Sequence, residues 1–294
     1  MSGTFPNPAI PNAAAIDEII ARALAEDAPW GDATSEAFLP TSARASASLV
    51  AREAGILSGI DVFARVFELL EPEMTIELAT FDGSAFAPGA VLARVEGSAR
   101  MVLRGERIAL NLVQRMSGIA TLTAQYVAAI SGTKARIVDT RKTTPGLRIL
   151  ERQAVRDGGG RNHRFSLSDA VMAKDNHLAV LAAEGIPLGQ AIRDVRARIG
   201  HTTHLEVEVD RLDQIDEVVA AGVDTIMLDN FTPVQLRAGL DIVAGRALVE
   251  ASGGVNLDTV AAIAASGVDI ISVGALTHSV RSLDLGLDVD VRAG

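Results

Sequence analysis

The chain has 294 residues, 48% of them apolar, with no cysteine and a formal charge of −10. Without cysteine there are no disulfides, thiolate metal sites or cysteine nucleophiles, and the acidic balance argues against bulk nucleic-acid or anionic-membrane binding. No run approaches the roughly 18 apolar residues of a membrane span, and a cysteine-free composition suits a reducing cytoplasm.

In chain order, "MSGTFPNPAIPNAAA" has no cationic start and no apolar core, so it reads as a flexible tail or extended arm and not as a signal peptide. Residues up to about 115 alternate apolar and polar positions, broken by Gly and Pro, which predicts an antiparallel sheet with helices at 16–26 and near 59–70. A long amphipathic helix is predicted over 100–130, with a kink at Gly118. From Arg136 a repeated unit takes over: "RIVDT" (136–140), "DAVMAK" (169–174), "LEVEVD" (205–210), "TIMLDN" (225–230), "ALVEAS" (247–252) and "IISVGA" (270–275) read as strands. Helical runs that end in Gly separate several of them. "AGVDTIMLDN" and "SGVDIISVGA" look like two copies of one helix-to-strand joint. Alternating strands and helices imply parallel pairing, with a closed barrel favoured and a doubly wound open sheet as the alternative. The tail "LDLGLDVDV" alternates again and is expected to rejoin the first sheet.

The predicted strand ends carry Thr140-Arg141-Lys142, Lys174, Glu208, Asp229, Ser252-Gly253-Gly254 and Gly274. In a parallel barrel, active groups project from these ends. Between Asp139 and His177 cations outnumber acids in an otherwise acidic chain. Two cations about 4 Å apart repel by roughly 4 kcal/mol at an effective dielectric near 20, a large share of the ~5–15 kcal/mol that holds a domain together. If Arg141, Lys142, Arg164 and Lys174 share one cleft, an anionic ligand is expected there. Ser252-Gly253-Gly254 feeding a helix, with Asn256 as its cap, suits a phosphate. Glu208 and Asp229 suit a hard cation such as Mg²⁺, or else they pair with the neighbouring Lys and Arg residues. His163 follows three glycines, which let backbone approach a ligand. His278 follows the last strand and is expected to face the phosphate; His201 and His204 read as surface.

"DTRKTTPGLR" (139–148), "AVRDGGGRNHRFSLSDAVMAKDNH" (154–177), "EVEV", "LDN", "SGG" and "VGALTHS" resemble the quinolinate phosphoribosyltransferase family. "EDAPWGDATS" (26–35), "AREAGILSGI" (51–60) and "GERIALNLVQRMSGIAT" (105–121) extend the resemblance almost end to end. It implies an α/β chain: an N-terminal α/β sandwich (1–116, rejoined by 280–294) and an incomplete, about seven-stranded α/β barrel (117–279). It implies decarboxylating phosphoribosyl transfer from phosphoribosyl pyrophosphate to quinolinate, using Mg²⁺, in a cytoplasmic homodimer. By the same resemblance Thr140, Arg141, His163, Arg164 and Lys174 hold quinolinate, with Arg107 supplied by the partner subunit. Lys142, Glu208 and Asp229 handle pyrophosphate, ribose and Mg²⁺, with Lys142, Lys174, Glu208 and Asp229 as the catalytic set. Ser252, Gly253, Gly254, Gly274 and His278 cradle phosphate. The alternatives are a paralogue of this fold tied to molybdenum transport, a Schiff-base barrel aldolase with Lys174 as nucleophile, and a non-catalytic phosphosugar-binding module.

Overall fold

The structure, a computed structural model, describes residues 13–290; the expected N-terminal arm, apart from its last three residues, lies outside the described residues. The chain divides into two compact units: one comprises the residues up to Ala124, Thr143–Gly159 and everything from Thr277, and the other comprises Gln125–Lys142 and Gly160–Leu276. The segment Thr143–Gly159 therefore groups with the first unit, inside the span the sequence suggested for the barrel.

In the first unit lie β1 (Arg44–Ala51), β2 (Gly55–Ile56), β3 (Thr75–Leu78), β4 (Ala85–Phe86) and β5 (Val91–Ser98). β1 pairs antiparallel with β5, and β5 with β3. The C-terminal strand Leu285–Asp290 returns to pair with the other edge of β1, Leu287 opposite Leu49. β1 alternates buried and half-exposed positions, as expected of a sheet with one covered face. Helix Ile60–Leu70 lies against β5 and buries Ile60, Val62, Phe63, Val66 and Phe67. Phe63 and Phe67 meet edge to face, 5.1 Å between centroids. A 31-residue helix, Ala99–Ala129, follows without a break at Gly118. Gly118 is required for a different reason than the expected kink: a Cβ there would lie 2.2 Å from the carbonyl oxygen of Arg281.

The second unit holds β6 (Arg136–Val138), β7 (Val171–Ala173), β8 (Leu205–Val209), β9 (Thr225–Asp229), β10 (Leu248–Ser252) and β11 (Ile270–Ser272). All pair in parallel, in the order β6-β11-β10-β9-β8-β7. Each neighbour is the next strand along the chain, except that β6 adjoins β11. The pattern is a barrel with its seam between β6 and β7; the sheet has six strands where about seven were implied. On the seam side, among the described residues, β6 meets only a bridge, Val138 to Arg161. β8 and β9 are buried nearly throughout, as a sheet covered on both faces requires.

The two copies of the Gly-Val-Asp joint do the same work. Asp224 Oδ2 accepts the backbone N–H of Leu205 at 2.7 Å, and Asp269 Oδ2 accepts that of Val249 at 3.0 Å. Each aspartate begins one strand and ties down the start of its neighbour. Register is thereby pinned at the amino ends, leaving the carboxyl ends to carry chemistry.

Candidate active site

Register and alternation place the polar residues of four strands on one face. Glu208 of β8 pairs in register with Met227 of β9, and Met227 with Glu250 of β10. Two residues further on, Asp229 pairs with Ser252. Side chains two apart on a strand share a face. Glu206, Glu208, Asp229, Glu250, Ser252 and Ser272 therefore project together. All of these but Glu206 line a cleft of about 450 Å³ whose walls are completed by Thr140, Arg141, Lys142, His163, Arg164, Met172, Met227 and Lys174. A larger depression of about 670 Å³ in the first unit is lined by mixed charges, among them Asp17, Arg65, Glu68, Asp82 and Asp157, with no converging set of cations.

The cations reach the cleft from loops that follow β6 and β7. Thr140 Oγ1 accepts the N–H of Lys142 at 3.1 Å, turning the chain just after β6. Asp139, fully buried at the end of β6, accepts the N–H of His163 at 2.7 Å and the side-chain amide of Asn162 at 2.6 Å. One carboxylate thus fixes the Asn162-His163-Arg164 loop beside Arg141. Arg164 donates to the carbonyl of Ala170 at 3.2 Å. Its pKa is lowered, first by burial and then by the Arg141 guanidinium; the two cations face each other as the sequence led us to expect. Lys174 caps helix Asp175–Ala183, with His177 Nδ1 accepting its N–H at 3.1 Å. Its ammonium pairs with Glu208.

Below them lies a group that sequence reasoning missed. His163 Nε2 is 3.2 Å from Glu206 Oε2 and 3.4 Å from Glu250 Oε2. The glutamates are 3% and 1% exposed, and Oε1 of each has no hydrogen-bond partner among the described residues. Burial alone would lower the His163 pKa, and the two carboxylates instead raise it to about 10. Burial raises the Glu250 pKa, and His163 opposes this. His163 Nδ1 also accepts the backbone N–H of Arg164 at 2.7 Å. The trio is also spaced for a cation. A ligating histidine, however, donates from its other nitrogen, and here that nitrogen accepts. The sequence signal was available: charged residues inside "LEVEV" and "ALVEAS", strands otherwise apolar.

The remaining candidates are placed as follows. Gly253 and Gly254 have positive φ, 84° and 62°. A Cβ on Gly253 would lie 2.1 Å from Asn230 Oδ1, whereas one on Gly254 would meet nothing within 4 Å, so only Gly254 opens onto empty space. Asn256 Oδ1 caps the turn by accepting from Asp258 and Thr259 at 2.9 and 3.0 Å. The helix that follows, Val260–Ala264, has only five residues, so its dipole adds little to the turn's own N–H groups. Gly274 follows β11 and is half-buried. His278 groups with the first unit, where it is exposed and pairs with Ser279 Oγ at 2.5 Å. Arg107 is exposed on helix Ala99–Ala129 of that unit, and His201 and His204 are exposed as expected.

A parallel α/β sheet whose carboxyl rim gathers two arginines, two lysines, two carboxylates and a glycine turn defines an enzyme for small anionic substrates. Residues 119–288 match the model for the quinolinate phosphoribosyl transferase C-terminal domain, and residues 32–117 match that for its N-terminal domain. The chain belongs to the quinolinate phosphoribosyl transferase family. It is 42% identical over 264 residues to a probable nicotinate-nucleotide pyrophosphorylase (carboxylating) of Bacillus subtilis, covering 90% of each chain. It is 44% identical over 278 residues to the nicotinate-nucleotide pyrophosphorylase (carboxylating) of Mycobacterium leprae, covering 92% of this chain and 96% of that one. The crystal structure of NadC from Streptococcus pyogenes superposes with a TM-score of 0.91 at 41% identity, covering 97% of this chain and all of that one.

Proposed function

We propose that the chain transfers the phosphoribosyl group of phosphoribosyl pyrophosphate to the ring nitrogen of quinolinate, releasing pyrophosphate and CO₂ and yielding nicotinate mononucleotide for NAD biosynthesis. The observation that carries this reading is the convergence of Arg141, Arg164 and Lys174 in one cleft with Asp229 and Ser252 at its rim. Two adjacent carboxylates on a pyridine ring answer such a cation set, and guanidiniums grip carboxylates through paired N–H groups. Thr140 and His163 complete the quinolinate side. Lys142, exposed at the rim, meets the pyrophosphate, and Ser252, Gly253, Gly254 and Gly274 hold the 5′-phosphate.

Glu208 and Asp229 offer carboxylate oxygens from neighbouring strands into the cleft, a hard donor set that suits Mg²⁺. Glu208 is paired with Lys174 and Asp229 accepts from Asn230 at 2.7 Å; both pairs must loosen to admit the ion. When bound, Mg²⁺ supplies charge neutralisation to the departing pyrophosphate. The same two carboxylates stabilise the positive charge that develops on the ribose carbon.

Glycosyl transfer precedes decarboxylation. Alkylation makes the ring nitrogen cationic, and the carbanion left by CO₂ then sits beside a positive charge. In a homodimer, the exposed Arg107 of one subunit reaches the quinolinate carboxylates of the other. The reaction belongs in the cytoplasm, where the substrates are soluble. Incubation with quinolinate, phosphoribosyl pyrophosphate and Mg²⁺ is expected to release CO₂ and nicotinate mononucleotide in equal amounts. No product, or free nicotinate formed as a competent intermediate, overturns this reading.

A further inference from the structure

Arg141 and Arg164 line one cleft, yet they come from segments that no continuous ladder joins. Arg141 follows β6, the strand at the seam, and Arg164 lies in the loop that leads toward β7. Elsewhere in the barrel a ladder fixes the spacing of residues at neighbouring strand ends. Here, among the described residues, the backbone link is one bridge. Arg161 donates to the carbonyl of Ile137 at 2.9 Å, and Asp139 donates to the carbonyl of Arg161 at 3.1 Å.

The Asp139 side chain supplies what the ladder does not. Its Oδ1 accepts the backbone N–H of His163 at 2.7 Å, and its Oδ2 accepts the side-chain amide of Asn162 at 2.6 Å. The carboxylate is fully buried, and a buried charge that loses its donors is costly. The two segments are therefore held at one spacing. Arg141 stands two residues after this carboxylate, and Arg164 one residue after the His163 that it grips. Beyond Arg164, Asp169 accepts the N–H groups of Phe165 and Ser166 at 2.6 and 2.9 Å. Arg164 thus lies between two points of the loop that carboxylates fasten.

We propose that Asp139 is a positioning residue that sets the spacing of the Arg141 and Arg164 guanidiniums, and so selects a ring bearing two adjacent carboxylates over a ring bearing one. The inference rests on the quinolinate reading proposed above. Asp139 is buried and outside the lining of the cleft, so it acts through the loop and not on the substrate. A diacid engages both cations at once, and its affinity depends on their separation. A misplacement of about 1 Å can cost on the order of 100-fold. A monoacid needs one cation and tolerates the change.

The test is Asp139→Asn, which keeps the acceptor for the His163 N–H and turns the other oxygen into an amide facing the amide of Asn162. The calorimetric Kd for quinolinate is expected to rise about tenfold or more. The Kd for nicotinate should stay within about threefold of wild type, and KM for phosphoribosyl pyrophosphate within about twofold. Adding Asn162→Asp restores the lost hydrogen bond in the opposite direction. The double variant is expected to recover quinolinate affinity to within about threefold of wild type. Unchanged quinolinate affinity in Asp139→Asn overturns the proposal. So does an equal loss for quinolinate and nicotinate, or a double variant no better than the single one, which would mark Asp139 as structural. If Asp139→Asn fails to fold, Asn162→Ala removes the amide contact alone. A severalfold loss for quinolinate with none for nicotinate is then expected, and no loss or an equal loss overturns the proposal. Wild-type protein that binds no quinolinate refutes the quinolinate reading itself, and this inference with it.

Discussion

Lys174 and Glu208, at the carboxyl ends of adjacent parallel strands, close an ion pair across the cleft, the lysine side chain 42% exposed and the glutamate 12%. An incoming carboxylate must compete with Glu208 for that ammonium. Removing the competitor should tighten quinolinate binding even as it damages catalysis. Glu208→Gln is expected to lower the calorimetric Kd for quinolinate severalfold while kcat falls at least 100-fold. Lys174→Ala should weaken binding by roughly 10- to 100-fold, the ~1.5–3 kcal/mol of a hydrogen bond to a charged group.

Arg164 faces Arg141 and is held by the Ala170 carbonyl. Arg164→Lys keeps the charge and loses the planar fork. KM for quinolinate should rise about tenfold or more while KM for phosphoribosyl pyrophosphate stays within about twofold. Steady-state kinetics with each substrate varied in turn separates the two.

Gly253 combines a positive φ with backbone and side-chain atoms of Asn230 pressed against its Cβ position. Gly253→Ala should cost about 1–3 kcal/mol of stability and raise KM for phosphoribosyl pyrophosphate. Gly254→Ala has open space and carries the φ strain alone, so it should cost less. Thermal unfolding of the two variants checks the ranking.

The second titratable centre lies in the first unit. Burial raises the Asp157 pKa to about 6, while Ser58 donates to it at 2.6 Å and Asp82 adds a neighbouring charge. The folded chain holds this proton up to about pH 6, whereas the unfolded chain releases it near pH 4. Between those values the folded state binds more protons, so this contribution is full at low pH and is lost as pH rises through 6. After discounting for partial solvent screening, it is on the order of 1–2 kcal/mol. Asp157→Asn should flatten that part of the stability profile between pH 4 and 7. A denaturant-melt series of the two proteins across that range measures it.

The expected sharing of sites between subunits has its own test. Arg107→Ala and Lys174→Ala subunits, each inactive alone, should regain about half of wild-type activity per hybrid dimer when mixed. Hybrids that stay inactive rule out a contribution of Arg107 across the dimer.

Much of this was legible in the sequence because parallel strands announce themselves. Each of the six barrel strands falls inside a short β-rich run, and the polar residues at their ends are the ones that line the cleft. Alternation in "LDLGLDVDV" likewise foretold a strand paired with β1. What stayed hidden depended on contacts distant in sequence. Gly118 looked like a kink because its partner, the Arg281 carbonyl, lies 163 residues further along the chain. Thr143–Gly159 sits within barrel sequence, yet Arg115 pairs with the buried Glu151 at 2.7 Å and anchors it to the first unit. Glu206 and Glu250 looked like ordinary charged residues until the register brought them to one imidazole. The seam between β6 and β7 left no mark in the sequence, since a missing hydrogen-bonded neighbour has no composition.

The most direct measurement is a crystal of the protein soaked with quinolinate. Density for the pyridine ring with its carboxylates against Arg141, Arg164 and Lys174 is the expected result. An empty cleft at saturating ligand, or quinolinate bound away from those three side chains, would contradict it.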